Sequence, residues 1–107
     1  MSVEHEQIAE RTFRVDGHDV ICRFFPPEPD NGTFFCRYEI HWPEGVRTRR
    51  AGGVDGVQAL ILAMVKAHGD LLAARENDGR EVLHEDRRSL GLPITAMMRD
   101  WDPENRF

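Results

Sequence analysis

The chain has little of what covalent catalysis requires. Among 107 residues there are two serines, Ser2 and Ser89, and two cysteines, Cys22 and Cys36. Neither serine sits in a G-x-S-x-G turn, which excludes the usual nucleophile elbow. The five histidines, His5, His18, His41, His68 and His84, never fall at HxxxH or HxH spacing, and no metal site is expected. Asp16-Gly17-His18-Asp19 is explained by turn chemistry, and His84-Glu85-Asp86 stands without a second ligand set. Gly52-Gly53-Val54-Asp55-Gly56 leads into a helix start but lacks the lysine and spacing of a phosphate loop, and Asp55 would repel an anion there. No run of about 18 apolar residues exists to span a membrane. Met1 to Glu10 is polar and lacks a signal-peptide core. A cytoplasmic chain with its cysteines as thiols is the resulting expectation. Repeats and low-complexity segments are also missing.

Charge of one sign is missing too. The net charge is −5. Residues 1–53 carry seven Arg against nine Asp/Glu, and residues 54–107 carry seven Lys/Arg against ten. Neither half is a basic module drawn to nucleic acid or to an anionic membrane. Lysine is nearly absent, with Lys66 alone among 14 cations.

What remains is a regular alternation of apolar and polar residues, then one long helical pattern. Asp16-Gly17 between two alternating runs predicts a two-residue hairpin. That turn sets Phe13 opposite Val20, Arg14 opposite Asp19 and Glu10 opposite Arg23. Pro26 to Gly32 reads as a loop, since prolines supply no ladder N–H. Closed symmetrically, it sets Phe24 against Phe34 and Cys22 against Cys36, where a strained cross-strand disulfide competes with two small buried thiols. Pro43-Glu44-Gly45 then sets Trp42 against Val46, Ile40 against Thr48, Glu39 against Arg49 and His41 against Arg47. The expectation is an α+β fold: a four-stranded antiparallel meander at about 7–15, 19–25, 33–42 and 46–51. Val20, Cys22, Phe24, Phe34, Cys36, Tyr38, Ile40 and Trp42 share its inner face.

Val54 to Glu76 predicts one long helix, with Val57, Leu60, Ile61, Met64, Val65, Leu71 and Leu72 on one face. Burying them would contribute roughly 10–20 kcal/mol gross. Asp55 and Gln58 suit the start as a capping box, and Asn77-Asp78-Gly79 suits the end. Ala59, Ala63, Ala67 and Ala74 form a second stripe, fit for close packing on the sheet or for a helix-to-helix dimer. After residue 80 the pattern breaks. Leu90-Gly91-Leu92-Pro93-Ile94 is irregular, and a short helix near 94–101, carrying Met97, Met98 and Trp101, is expected to run back over the core edge.

Three segments carry a resemblance. Cys36-Arg37-Tyr38-Glu39-Ile40, Gly53-Val54-Asp55-Gly56-Val57-Gln58-Ala59-Leu60 and Leu90-Gly91-Leu92-Pro93 resemble a family of small uncharacterised bacterial domains, matched over about residues 8–94. That family has a C-x-Y-x-I strand, a G-x-D-x-x-Q-A-L helix start and an L-G-L-P closing segment. The resemblance implies a bacterial source and the same sheet-plus-helix fold, and it adds no catalytic residue or cofactor. The extension from Thr95 to Phe107 lies outside it.

With no catalytic set, metal or cofactor to assign, the first reading is a non-enzymatic interaction module. It would bind a protein partner or itself as a homodimer, in an immunity-like or regulatory role. Its contact residues would be Arg23, Phe25, Phe35, Arg37 and Arg47 on the open sheet face, where arginine and aromatics suit interfaces. A second reading places a small ligand or a reaction in a pocket near Tyr38, His68 and Trp101. A third lets the arginine face stack nucleic-acid bases, against which stand the pairing of Arg14, Arg23 and Arg49 with acids and the acidic net charge.

Overall fold

The computed structural model describes residues 6–105. Its chain runs β1 (Ala9–Val15), β2 (His18–Phe24), β3 (Glu28–Asp30), β4 (Thr33–Trp42), β5 (Gly45–Gly53), α1 (Gly56–Asp78), β6 (Val82–Leu83) and a 3-10 helix, η1 (Ala96–Trp101). The sheet is antiparallel and has six strands, not four. β4 pairs on one side with β5 and on the other with β2 and β3, and β1 lies between β2 and β6.

The first hairpin holds the expected register, with Phe13 opposite Val20 and Arg14 opposite Asp19. Asp16 at φ 50° and Gly17 at φ 81° make the tight turn that the strand twist demands. The segment read as a loop contains a hairpin of its own. Asn31-Gly32 turns at φ 52° and 83°, pairing Glu28 with Phe35 and Asp30 with Thr33. Pro29 is tolerated because this strand lies on an edge. The added hairpin slides β4 along β2 by four residues, so Cys22 faces Ile40 and Phe24 faces Tyr38. An even slide preserves which side chains face inward.

The β4–β5 turn differs by one residue, and there the odd slip matters. Trp42 pairs with Gly45, Ile40 with Arg47, Tyr38 with Arg49 and Arg37 with Arg50. Pro43-Glu44 is the two-residue loop, and Gly45 joins the strand. Arg47 and Arg49 therefore move to the helix side of the sheet, and Arg50 takes the outer side. The expected outer pairs Glu39–Arg49 and His41–Arg47 do not form. Glu39 instead takes Arg37 at 2.9 Å and His41 at 3.1 Å.

α1 starts as expected. The Asp55 carboxylate accepts from Gln58 N at 2.8 Å, while Gln58 Oε1 accepts from Val54 N at 2.7 Å. Gly79, at φ 67°, closes the last turn by donating to the Ala74 carbonyl. The buried face is the expected one in part: Leu71 and Leu72 are buried, Leu60 and Met64 pack against the core, and the alanine stripe is closely packed, as one of its two readings had it. Ala59, Ala63 and Ala67 are fully buried with Leu71 and Leu72, whereas Val57 and Ile61 are exposed. The physical reason is volume. Phe13, Phe24, Tyr38 and Ile40 already fill the inner sheet face, so the helix approaches it on its small residues.

β6 covers the edge of β1, pairing Val15 with Val82. The Leu90–Pro93 segment is then held by side chains from separate elements. Arg11 donates to the carbonyls of Leu90 and Gly91 at 3.0 and 2.9 Å. Asn105 Nδ2 donates to that of Leu92 at 2.7 Å, and His68 Nδ1 to that of Pro93 at 3.1 Å. Leu90 is thereby sealed and Leu92 nearly so. Carbonyls in an irregular buried segment need partners, and these side chains supply them.

Candidate functional site

The outer sheet face is built from β4, β5 and the end of β2. The Arg37 guanidinium lies 3.8 Å over Phe25 and that of Arg50 lies 3.9 Å over Phe35. Arg23 is paired with Glu10 at 3.4 Å. Of the five residues expected there, Arg23, Phe25, Phe35 and Arg37 do share the region. Arg47 does not: it belongs to the helix side, and Arg50 stands where Arg47 was expected. Arg37 and Arg50 are engaged by rings and Arg23 by the Glu10 carboxylate, although the buried Arg23 Nε makes no hydrogen bond.

The three residues expected to bound a pocket are separated. Tyr38 is buried and donates to Asp70 Oδ2 at 2.6 Å, while Arg49 donates to Asp70 Oδ1 at 2.6 Å. This tie between β4, β5 and α1 leaves Tyr38 no free polar atom. Burial, and then the Asp70 carboxylate, hold its hydroxyl far above the ordinary phenol pKa. His68 is also buried. Its Nε2 lies 2.9 Å from Asp102 Oδ2, which also accepts from Leu90 N at 3.1 Å. Because a carbonyl can only accept, Nδ1 is the donor toward Pro93. Trp101 is half exposed on η1.

The cysteines are not a redox pair. Cys36 lies four positions along β4 from Ile40, the partner of Cys22, a gap of about 13 Å at the usual strand rise. Cys36 Sγ donates to the Phe25 carbonyl at 3.3 Å. Burial, and then Asp70, push the Cys22 thiol up to about 12. Among the described residues there is no cluster of His, Cys, Asp and Glu fit to hold a metal ion. Ser2 and His5 lie outside the described residues. Ser89 and His84 line a polar cavity of about 650 Å³ with Glu85 and Arg87. There, burial and the nearby Arg11 lower the His84 pKa.

The surface that sequence reasoning missed lies at the other edge of the sheet. α1 is apolar enough by length and composition to pass for a membrane span, yet only 39% of its most apolar window is buried. Val54, Val57, Ile61 and Leu62 are 77%, 68%, 47% and 38% exposed. Toward its C-terminal half the same side of α1 is closed by the tail, through His68 and Asp102. Toward its N-terminal half nothing among the described residues covers it. A trough of about 510 Å³ runs between this face and the unpaired edge of β5. Arg50, Ala51 and Gly52 form one wall, Leu62 and Val65 the other, and Met98 of η1 one end. Lys66 spans it, donating to the Arg50 carbonyl at 2.9 Å. The sequence signal was present: an apolar pattern covering more of the helix than one sheet can bury.

Comparison with curated proteins and with solved structures returned no match. A family model does match, over residues 9–94, so that the strand, the helix start and the Leu90–Pro93 clasp all lie inside it. The chain belongs to that family, a domain of unknown function (DUF6968).

Proposed function

We propose that this domain is a non-enzymatic protein-interaction module, and that its contact surface is the open side of α1 rather than the arginine face of the sheet. One observation carries this reading. Val57, Ile61 and Leu62 stand exposed on a helix whose opposite side is packed, with Val54 exposed just before its cap. Isolated apolar residues at a surface are ordinary, but a contiguous row of them marks an interface. The part-buried Asp70 and the buried Asp102, by contrast, are spent on holding the fold: Asp70 on Tyr38 and Arg49, and Asp102 on His68 and Leu90.

The test is a Val57→Glu/Ile61→Glu double variant. Both positions are exposed, so its thermal midpoint should stay within a few degrees of the parent. Quantitative affinity purification of the full chain from its source cells should show specific partners reduced at least tenfold. An unchanged partner profile with an intact fold overturns the reading.

A further inference from the structure

The trough beside β5 joins three features that strand-adding peptides use. One is a free strand edge, another an apolar floor next to it, and the last a charge pattern that selects the occupant. β5 spans nine residues, Gly45–Gly53, and pairs on one side only, with β4. The Arg50 carbonyl receives Lys66 from outside the sheet, so the backbone groups of Arg50 face away from β4. By the period of two, those of Val46, Thr48 and Gly52 do the same. Leu62, Val65 and Met98 lie alongside. Arg49, Arg50 and Lys66 line the trough with Asp70, and since Asp70 is taken by Arg49 the charge left over is positive, in a protein of net charge −5. Arginine and lysine by themselves blunt an edge against aggregation. The apolar trough next to them is what makes this edge a seat.

We propose that an extended acidic segment of another protein adds to β5 as a further strand. Every second side chain of that segment would enter the trough against Leu62 and Val65. The intervening acids, directed to the outer side, would meet Arg50, while Lys66 on the helix side is released from the Arg50 carbonyl as the new strand takes its place. A second copy of this chain is the wrong occupant. Antiparallel pairing of two β5 edges sets the Arg47–Arg50 cluster against itself, and like charges directly opposite are destabilising.

This inference rests on the interaction reading and names its partner class and mode. The test pans a phage-displayed library of random decapeptides against the full chain. It then measures selected peptides, together with alternating valine–glutamate and valine–lysine decapeptides, by fluorescence anisotropy. Selected sequences should be rich in acids alternating with apolar residues, and the valine–glutamate peptide should bind at least tenfold more tightly than the valine–lysine one. Amide shifts should concentrate on Val46, Thr48, Arg50 and Gly52. Thr48→Pro, which removes an outward N–H without touching the β4 ladder, and Arg50→Glu should each weaken binding at least tenfold. N-methylation of alternate peptide nitrogens gives a check that leaves the protein unaltered: one phase should abolish binding and the other spare it. Failure to select peptides, selection of basic ones, or indifference to both Thr48→Pro and N-methylation overturns strand addition. If Val57→Glu/Ile61→Glu still strips the cellular partners in that case, the interaction reading survives without it.

Discussion

Tyr38 is the sole tyrosine, and its hydroxyl is committed to Asp70 at 2.6 Å. Tyr38→Phe should therefore cost about 1 kcal/mol in urea unfolding, because a part-buried carboxylate oxygen loses its donor. The direction of its pKa shift adds a pH dependence. A tyrosine whose folded pKa lies above the ordinary value of 10.0 contributes stability that is intact below that pH and is lost as pH rises beyond it. Absorbance at 295 nm should accordingly show no phenolate near pH 11 while the chain is folded, with its appearance coinciding with unfolding. Cys22, pushed up to about 12 and fully buried, and Cys36, raised by burial, should both resist Ellman's reagent at pH 8 until denaturant is added. Rapid reaction of either thiol in the native state would contradict this packing.

Among the elements, α1 and the tail depend on each other. Gly53 shows how closely the helix start sits on β5: a Cβ there would lie 2.5 Å from Ala59 N, a backbone atom with no room to give. Gly53→Ala should destabilise by about 1–3 kcal/mol through overpacking, read as a lowered urea midpoint. The tail repays the helix at His68. Asp102 lies beyond the region matched by the family, yet it supplies the partner of a fully buried imidazole. Asp102→Ala should cost about 1–3 kcal/mol for each buried group left without its partner, the His68 Nε2 and the Leu90 N–H. Ending the chain after Ile94 should cost at least as much, because the Leu92 carbonyl also loses Asn105. A truncated chain with an unchanged midpoint would show the tail to be dispensable.

Across the whole molecule, the register of β5 decides which arginines face which solvent. Hydrogen exchange reads it directly. Arg47, Arg49 and Ala51 should exchange slowly, being directed at β4, while Val46, Thr48 and Gly52 exchange fast on the open edge. The opposite alternation would restore the register expected from Pro43-Glu44-Gly45, return Arg47 to the outer face and remove the trough's charge pattern.

Local chemistry explains why much of this was legible. Asp16-Gly17 admits one tight turn, and a period of two then assigns every inner residue of β1, β2 and β4 without reference to anything distant. Capping by Asp55 and Gln58 is equally local. Asn31-Gly32 carried the same hairpin signal as Asp16-Gly17, but the surrounding prolines obscured it. The Pro43-Glu44 turn admitted two loop lengths one residue apart, and only packing chose between them, by burying Ala51 over α1 and setting Arg49 on Asp70. The alanine stripe was legible as a packing surface, but that it excludes Val57 and Ile61 from the sheet was decided by tertiary structure, because the volume left above Tyr38, Phe13 and Ile40 is a property of the assembled layers. Tertiary structure alone brought Asp102 to His68 and Met98 to the trough. Sequence patterning states which residues seek burial, but the space available is settled only when the elements meet, and here it leaves one apolar side of α1 in the open.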